Sequence, residues 1–167
     1  LSDPKLRLGA PNERRQFDRG NCVQDRRHNL NMSTVYETPQ FSNGALRKLA
    51  TGWKISGILR VLSGDFMTVA PGVDNALQTG LQRADQVMLN VYGPGKTLNN
   101  YLNAAAFAQS APGTFGNSGA LSIQGPGSIR IDMGLTRAFR IREGQSLEFR
   151  VEAFNLPNHV NPGNPTT

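Results

Sequence analysis

Four stretches of this chain alternate apolar and polar side chains with a period of two. In the clearest, Ile129, Ile131, Met133 and Leu135 alternate with Arg130, Asp132, Gly134 and Thr136. In another, Leu147, Phe149, Val151 and Ala153 alternate with Glu148, Arg150 and Glu152. Upstream, Trp53, Ile55, Gly57, Leu59 and Val61 alternate with Lys54, Ser56, Ile58, Arg60 and Leu62. Leu30, Met32, Thr34 and Tyr36 alternate in the same way with Asn29, Asn31, Ser33 and Glu37. Successive side chains of a strand point to opposite faces, so each stretch reads as a strand with one apolar and one polar or charged face. The expected fold is all-β, with antiparallel long strands at about 28–38, 52–63, 129–141 and 146–155 forming a partial barrel or open sheet.

The connections are unequal. Residues 39–51 make a moderate link in which Asn43-Gly44 is a turn signal. Residues 64–128 form a long irregular insertion rich in Gly, Asn, Ala and Pro, within which 99–109 could make a short helix. Residues 1–27 are polar, loop-rich and without sustained period, and 155–165 end the chain in a Pro/Asn/Gly loop. For the last hairpin, setting Ile141 against Leu147 would place Phe139 opposite Phe149 and Arg140 opposite Glu148. The loop would then be Glu143-Gly144-Gln145, and an odd loop of three or five residues is expected. Arg137 falls on the apolar face, which implies either a membrane interface or a bulge near Ala138.

No run of apolar residues is long enough for a transmembrane helix. One Cys and two His exclude a disulfide scaffold and an ordinary Cys/His zinc site. Lys and Arg total 18 against 12 Asp and Glu, and the whole excess of +6 lies in residues 1–60. Arg14, Arg15, Arg19, Arg26 and Arg27 could suggest nucleic acid, but only Phe17 supplies a stacking ring and acids interrupt the run. A solvated loop or contact with anionic lipopolysaccharide fits better, and no nucleic-acid partner is expected. The segment NVYGPGKT (90–97) has Asn90 where a phosphate loop needs Gly, and Pro94 removes a donor, so it reads as a turn. His28 and His159 have no ligand or catalytic partner at useful spacing, and Cys22 lies alone in a polar loop. Glu148 and Glu152 flank Arg150, a charge ladder rather than an acid/base pair. Neither an enzyme nor a cofactor is expected.

In a soluble sandwich the apolar faces would meet in a core. The alternation of short and long connections instead matches outer-membrane barrels, whose turns are short on one side and loops long on the other. Leu30, Met32, Tyr36, Trp53, Ile55, Leu59, Val61, Ile129, Ile131, Met133, Leu135, Phe139, Leu147, Phe149 and Val151 then form the face for lipid or self-assembly. Arg130, Asp132, Arg140, Glu148, Arg150 and Glu152 form a polar charge ladder on the wet side.

The segments DRRHNLNMSTVYETP (25–39), GWKISGILRVLSGDFMTV (52–69), FGNSGALSIQGPGSIRIDMGLTRAFRI (115–141) and LEFRVEAFNLPNHVNPGNP (147–165) carry a family resemblance. Together they resemble the C-terminal barrel region of TonB-dependent outer-membrane receptors, of the Oar-like group with a carboxypeptidase-regulatory-like domain. The resemblance implies a large plugged barrel and transport or display at the outer membrane or extracellular surface of a Gram-negative-type bacterium. The stretch starts at Leu1 and lacks the family's plug, TonB-contacting segment and closing strand. It is therefore expected to be one unit of a larger barrel, 1–167, partnered by the rest of that barrel and by lipid. The alternative is a processed receptor fragment that pairs strand edges with copies of itself into an extracellular filament.

Overall fold

The computed structural model describes residues 18–76 and 82–166; Arg14, Arg15 and the rest of the basic start before Asp18 lie outside the described residues. In chain order the elements are β1 (Asn29–Glu37), helix α1 (Gly44–Ala50), β2 (Trp53–Leu62), β3 (Phe66–Met67), β4 (Asp85–Gln86), β5 (Tyr92–Thr97) and β6 (Asn100–Leu102). A 3-10 turn (Ala104–Ala106), β7 (Phe107–Ala108), β8 (Ile123–Gln124), β9 (Ser128–Arg142) and β10 (Gln145–Ala153) follow. They fall into two compact units, one of which comprises His28–Ser63 and Gly127–Asn161.

That unit is an open antiparallel sheet in the order β1-β2-β9-β10. The period-two pattern sets this: pairing in phase keeps the alternating apolar positions on one side, with Val35, Ile58 and Leu62 left on the other. The strands fall where the alternation places them, and β9 runs for 15 residues. The last hairpin differs from expectation. Its loop is the two-residue Glu143-Gly144, because Arg142 pairs with Gln145 and Arg140 with Ser146, leaving Ile141 as an extra, bulged residue. The bulge restores the parity that a three-residue loop was expected to supply. Phe139 therefore faces Leu147, Arg140 faces Ser146 rather than Glu148, and Phe149 faces Arg137. Gly144 has φ +78°, a conformation that suits glycine in such a tight turn.

The 39–51 link is not merely a turn. Asn43 caps α1, its side chain accepting from the Ala45 N–H at 3.0 Å. The dipeptide Asn43-Gly44 is a helix start in this context.

The other unit takes in 64–126 together with the chain's described beginning and end. Three short antiparallel pairs, β3 with β8, β4 with β7 and β5 with β6, enclose a small core. Met67, Val69, Ala84, Val91, Ala106 and Ile123 are buried there, with Tyr92, Tyr101, Leu102 and Phe107 packed against them. The insertion expected to be irregular is thus compact, and 99–109 forms β6, the 3-10 turn and β7 rather than one helix. Its glycines allow backbones to touch: a Cβ on Gly64 would lie 1.8 Å from the Gly125 carbonyl oxygen, and one on Gly116 1.8 Å from that of Arg83.

A two-faced sheet as candidate functional site

The register aligns apolar residues in cross-strand rows. Leu30, Val61 and Ile129 form the first row, and Met32, Leu59 and Ile131 the next. Thr34, Gly57, Met133 and Ala153 follow, then Tyr36, Ile55, Leu135 and Val151. Trp53, Arg137 and Phe149 come next, and Phe139 with Leu147 ends the series. Every apolar position singled out from the sequence lies on this one face. None of the residues in the four long strands is buried. Such a continuous apolar patch far exceeds scattered surface hydrophobics, so it must meet something other than water.

One end of this face is aromatic and carries its single cation. No bulge occurs at Ala138, so Arg137 stays on the apolar side. Its guanidinium lies 5.3 Å from the Trp53 ring centroid and 4.6 Å from that of Phe139. Trp53 and Phe149 meet edge to face at 6.1 Å. The Arg137 guanidinium also donates to the carbonyl oxygens of Leu49, at 2.8 Å, and Lys48. The Trp53 indole N–H donates to the same Leu49 oxygen at 2.7 Å. A charge on a greasy face is thus stacked on rings and satisfied by helix-end carbonyls, an arrangement in which its burial costs least. Helix α1, which sequence reasoning missed, could have been found from Asn43 followed by a seven-residue segment without Pro or β-branched residues.

The opposite face is charged, with Val35 and Ile58 among its polar side chains. Arg150 pairs with Glu148 at 2.8 Å and Glu152 at 3.6 Å, and Arg130 with Asp132 at 2.9 Å. These ion pairs run along a strand, whereas Lys54 and Glu37, 3.7 Å apart, pair across β1 and β2. Arg60 and Arg130 stand directly opposite each other. All residues of the expected charge ladder lie on this side, although Arg140 and Glu148 are not neighbours across the hairpin. Exposed ion pairs stabilise little, so they mark a charged face rather than hold the sheet together.

The terminal FNLPNHVNP segment is structural. The Asn161 amide group accepts from the Ile129 N–H at 2.8 Å and donates to the Ile129 carbonyl at 3.0 Å, imitating a partner strand where β10 has ended. The Leu156 N–H adds a bond to the Ile131 carbonyl at 2.8 Å, and the Asn155 N–H one to Asp132 Oδ1 at 2.8 Å. His159 belongs to this network through Asn155 and Asn161. His28 adjoins β1 and bonds Ser63 through its backbone. Cys22 is exposed, Arg26 pairs with Asp65 at 2.8 Å, and the Lys96 ammonium lies 3.9 Å from the Tyr92 ring centroid in the β5–β6 hairpin. Among the described residues no group of His, Cys, Asp and Glu is disposed to hold a metal ion.

A protein-family model described as an outer membrane beta barrel domain matches residues 4–167. No curated protein and no solved structure matches the chain.

Proposed function

The chain belongs to the outer membrane beta barrel domain family, and from that premise we propose that it forms a non-catalytic, four-strand sector of a transport barrel of the TonB-dependent receptor type. Its location is the outer membrane of a Gram-negative-type bacterium. The observation that carries the proposal is the continuous apolar face of the sheet, none of whose residues is buried, with a charged face behind.

Dimensions support it. From Ile129 to Phe139 the apolar rows extend ten residue steps, about 33 Å at ~3.3 Å per residue. A strand tilt of about 40° reduces this to about 25 Å, the height of the lipid-facing band of outer-membrane barrels. Strands β1, β2 and β10, of 9, 10 and 9 residues, have the length of tilted membrane-crossing strands. Trp53, Phe149, Phe139 and Tyr36 serve as the aromatic girdle at one rim. The two-residue β9–β10 turn leaves that rim, so it is assigned to the periplasmic side, and the opposite strand ends, at Leu62 of β2 and Ser128 of β9, to the outer side. The receptor class and its Oar-like group rest on the four segments quoted above. The partners are then the remaining strands of the barrel, at the free edges of β1 and β10, and lipid.

The same free edges favour a second reading, pairing with further copies into a filament. Electron microscopy of the purified chain with and without detergent separates the two. Closed barrels seen only in detergent or bilayers are expected. Regular detergent-free filaments with a strand spacing of about 4.7 Å would replace the membrane role with a structural one.

A further inference from the structure

We propose that helix α1 is an interfacial anchor, seated in the phospholipid headgroup region of the leaflet at the tight-turn rim and clamped there by Arg137 and Trp53. The proposal rests on the membrane orientation argued above and concerns a segment that orientation leaves unexplained.

Three observations converge. The first is position. Arg137 and Trp53 both project from the apolar face, and both donate to the last carbonyls of α1. The C-terminal end of the helix therefore lies over the side of the sheet assigned to lipid, not over the charged side. The second is patterning. At 100° per residue, Ala45, Leu46, Leu49 and Ala50 fall on one arc of the helix and Arg47 and Lys48 on the other. Leu46 is 49 % exposed and Leu49 74 %, so that arc is left open to its surroundings. The third is charge. Arg47 and Lys48 carry no acidic neighbour on the helix, and Arg137 adds a further cation beside them.

A helix whose apolar arc is uncovered, whose other arc is basic, and which is pinned beside a Trp at the rim of an apolar sheet fits an anionic bilayer surface. The helix is too short to hold its shape alone in water. The side-chain clamp and the Asn43 cap supply the order, and the leaflet receives Leu46 and Leu49. The anchor would fix how deep this sector of the sheet lies.

Trp53 is the only tryptophan in the chain, which makes the test direct. The full chain is inserted into phosphatidylethanolamine/phosphatidylglycerol vesicles whose acyl chains carry bromine at a shallow or a deep carbon. The expected result is stronger quenching of Trp53 by shallow than by deep bromine. The double substitution R47Q/K48Q weakens the preference for phosphatidylglycerol over phosphatidylcholine vesicles, by roughly fivefold per charge. L46N/L49N reduces shallow quenching of Trp53. Deep quenching of Trp53, equal association of the unaltered chain with both vesicle types, or L46N/L49N quenching unchanged from the parent would each overturn the anchor. A second probe separates this from failure of the membrane reading. In a W53F background, M133W places the fluorophore in the middle row of the sheet. Its quenching by deep bromine, with Trp53 unquenched by shallow bromine, sinks the anchor alone; no quenching of either sinks both.

Discussion

Asn161 shows how one side chain can finish a sheet. At the level of Ile129 strand β10 has already ended, and two backbone groups of β9 would be left without a ladder partner. The Asn161 amide meets both. The substitution N161A should therefore cost about 0.5–1.5 kcal/mol for each of the two exposed hydrogen bonds it removes. Hydrogen exchange at the Ile129 amide should accelerate more than at Leu135, and equal protection at both would show that the amide pairing contributes nothing. Tyr101 makes a second residue-scale case. Burial, and then the nearby Tyr92, push its phenol above the ordinary value of 10.0. The folded state thus prefers the neutral phenol. The stability tied to that preference is complete below the unfolded pKa near 10 and is lost as pH rises through the folded value. Y101F should lower stability at neutral pH, because the phenol's bond to the Gln124 carbonyl disappears, yet flatten the loss at alkaline pH. Urea unfolding across an alkaline series, followed alongside tyrosinate absorbance, reads both effects.

At the scale of elements, the long strands were legible because a period of two admits no other structure when one side must avoid water. Every apolar position on the sheet face could be assigned from that pattern. The hairpin register could not, because Ile141 bulges out and hides a parity change that composition does not report. Gly144 is the visible signal: its left-handed backbone serves a two-residue loop. G144A should cost about 1–2 kcal/mol through that backbone conformation alone, as nothing lies within 4 Å of the added Cβ. Thermal unfolding of G144A beside G163A, where space is equally open and φ is not positive, isolates the conformational cost. Helix α1 was hidden by a dipeptide that marks turns and helix starts alike. The insertion misled for a related reason, since its glycines permit backbone contact as readily as they permit loops. Its core residues, such as Met67, Ala84 and Ile123, come from short runs too brief to show a period.

For the whole molecule, the two faces of the sheet respond to charge in opposite ways if one meets lipid and the other water. Met133 occupies the middle of the apolar rows, Phe139 their aromatic rim, and Thr136 the charged face of the same strand. In a bilayer, M133R should destabilise by about 2–4 kcal/mol, because the guanidinium is farthest from either interface. F139R should cost about 0–1 kcal/mol for its charge, since it can reach the headgroups, plus what is lost with the ring beside Arg137. T136R should leave membrane stability nearly unchanged, as the side chain joins a hydrated surface between Lys54 and Arg150, with like-charge repulsion its main cost. Reversible urea unfolding from vesicles, with each variant compared at the same lipid composition, measures the series. A filament of stacked apolar faces predicts a different order. Arginine at Met133 and at Phe139 would then be equally harmful, because a protein–protein interface has no depth axis along which a charge can escape. The difference between M133R and F139R therefore distinguishes a lipid-facing sheet from a self-packed one even in material that behaves alike by size.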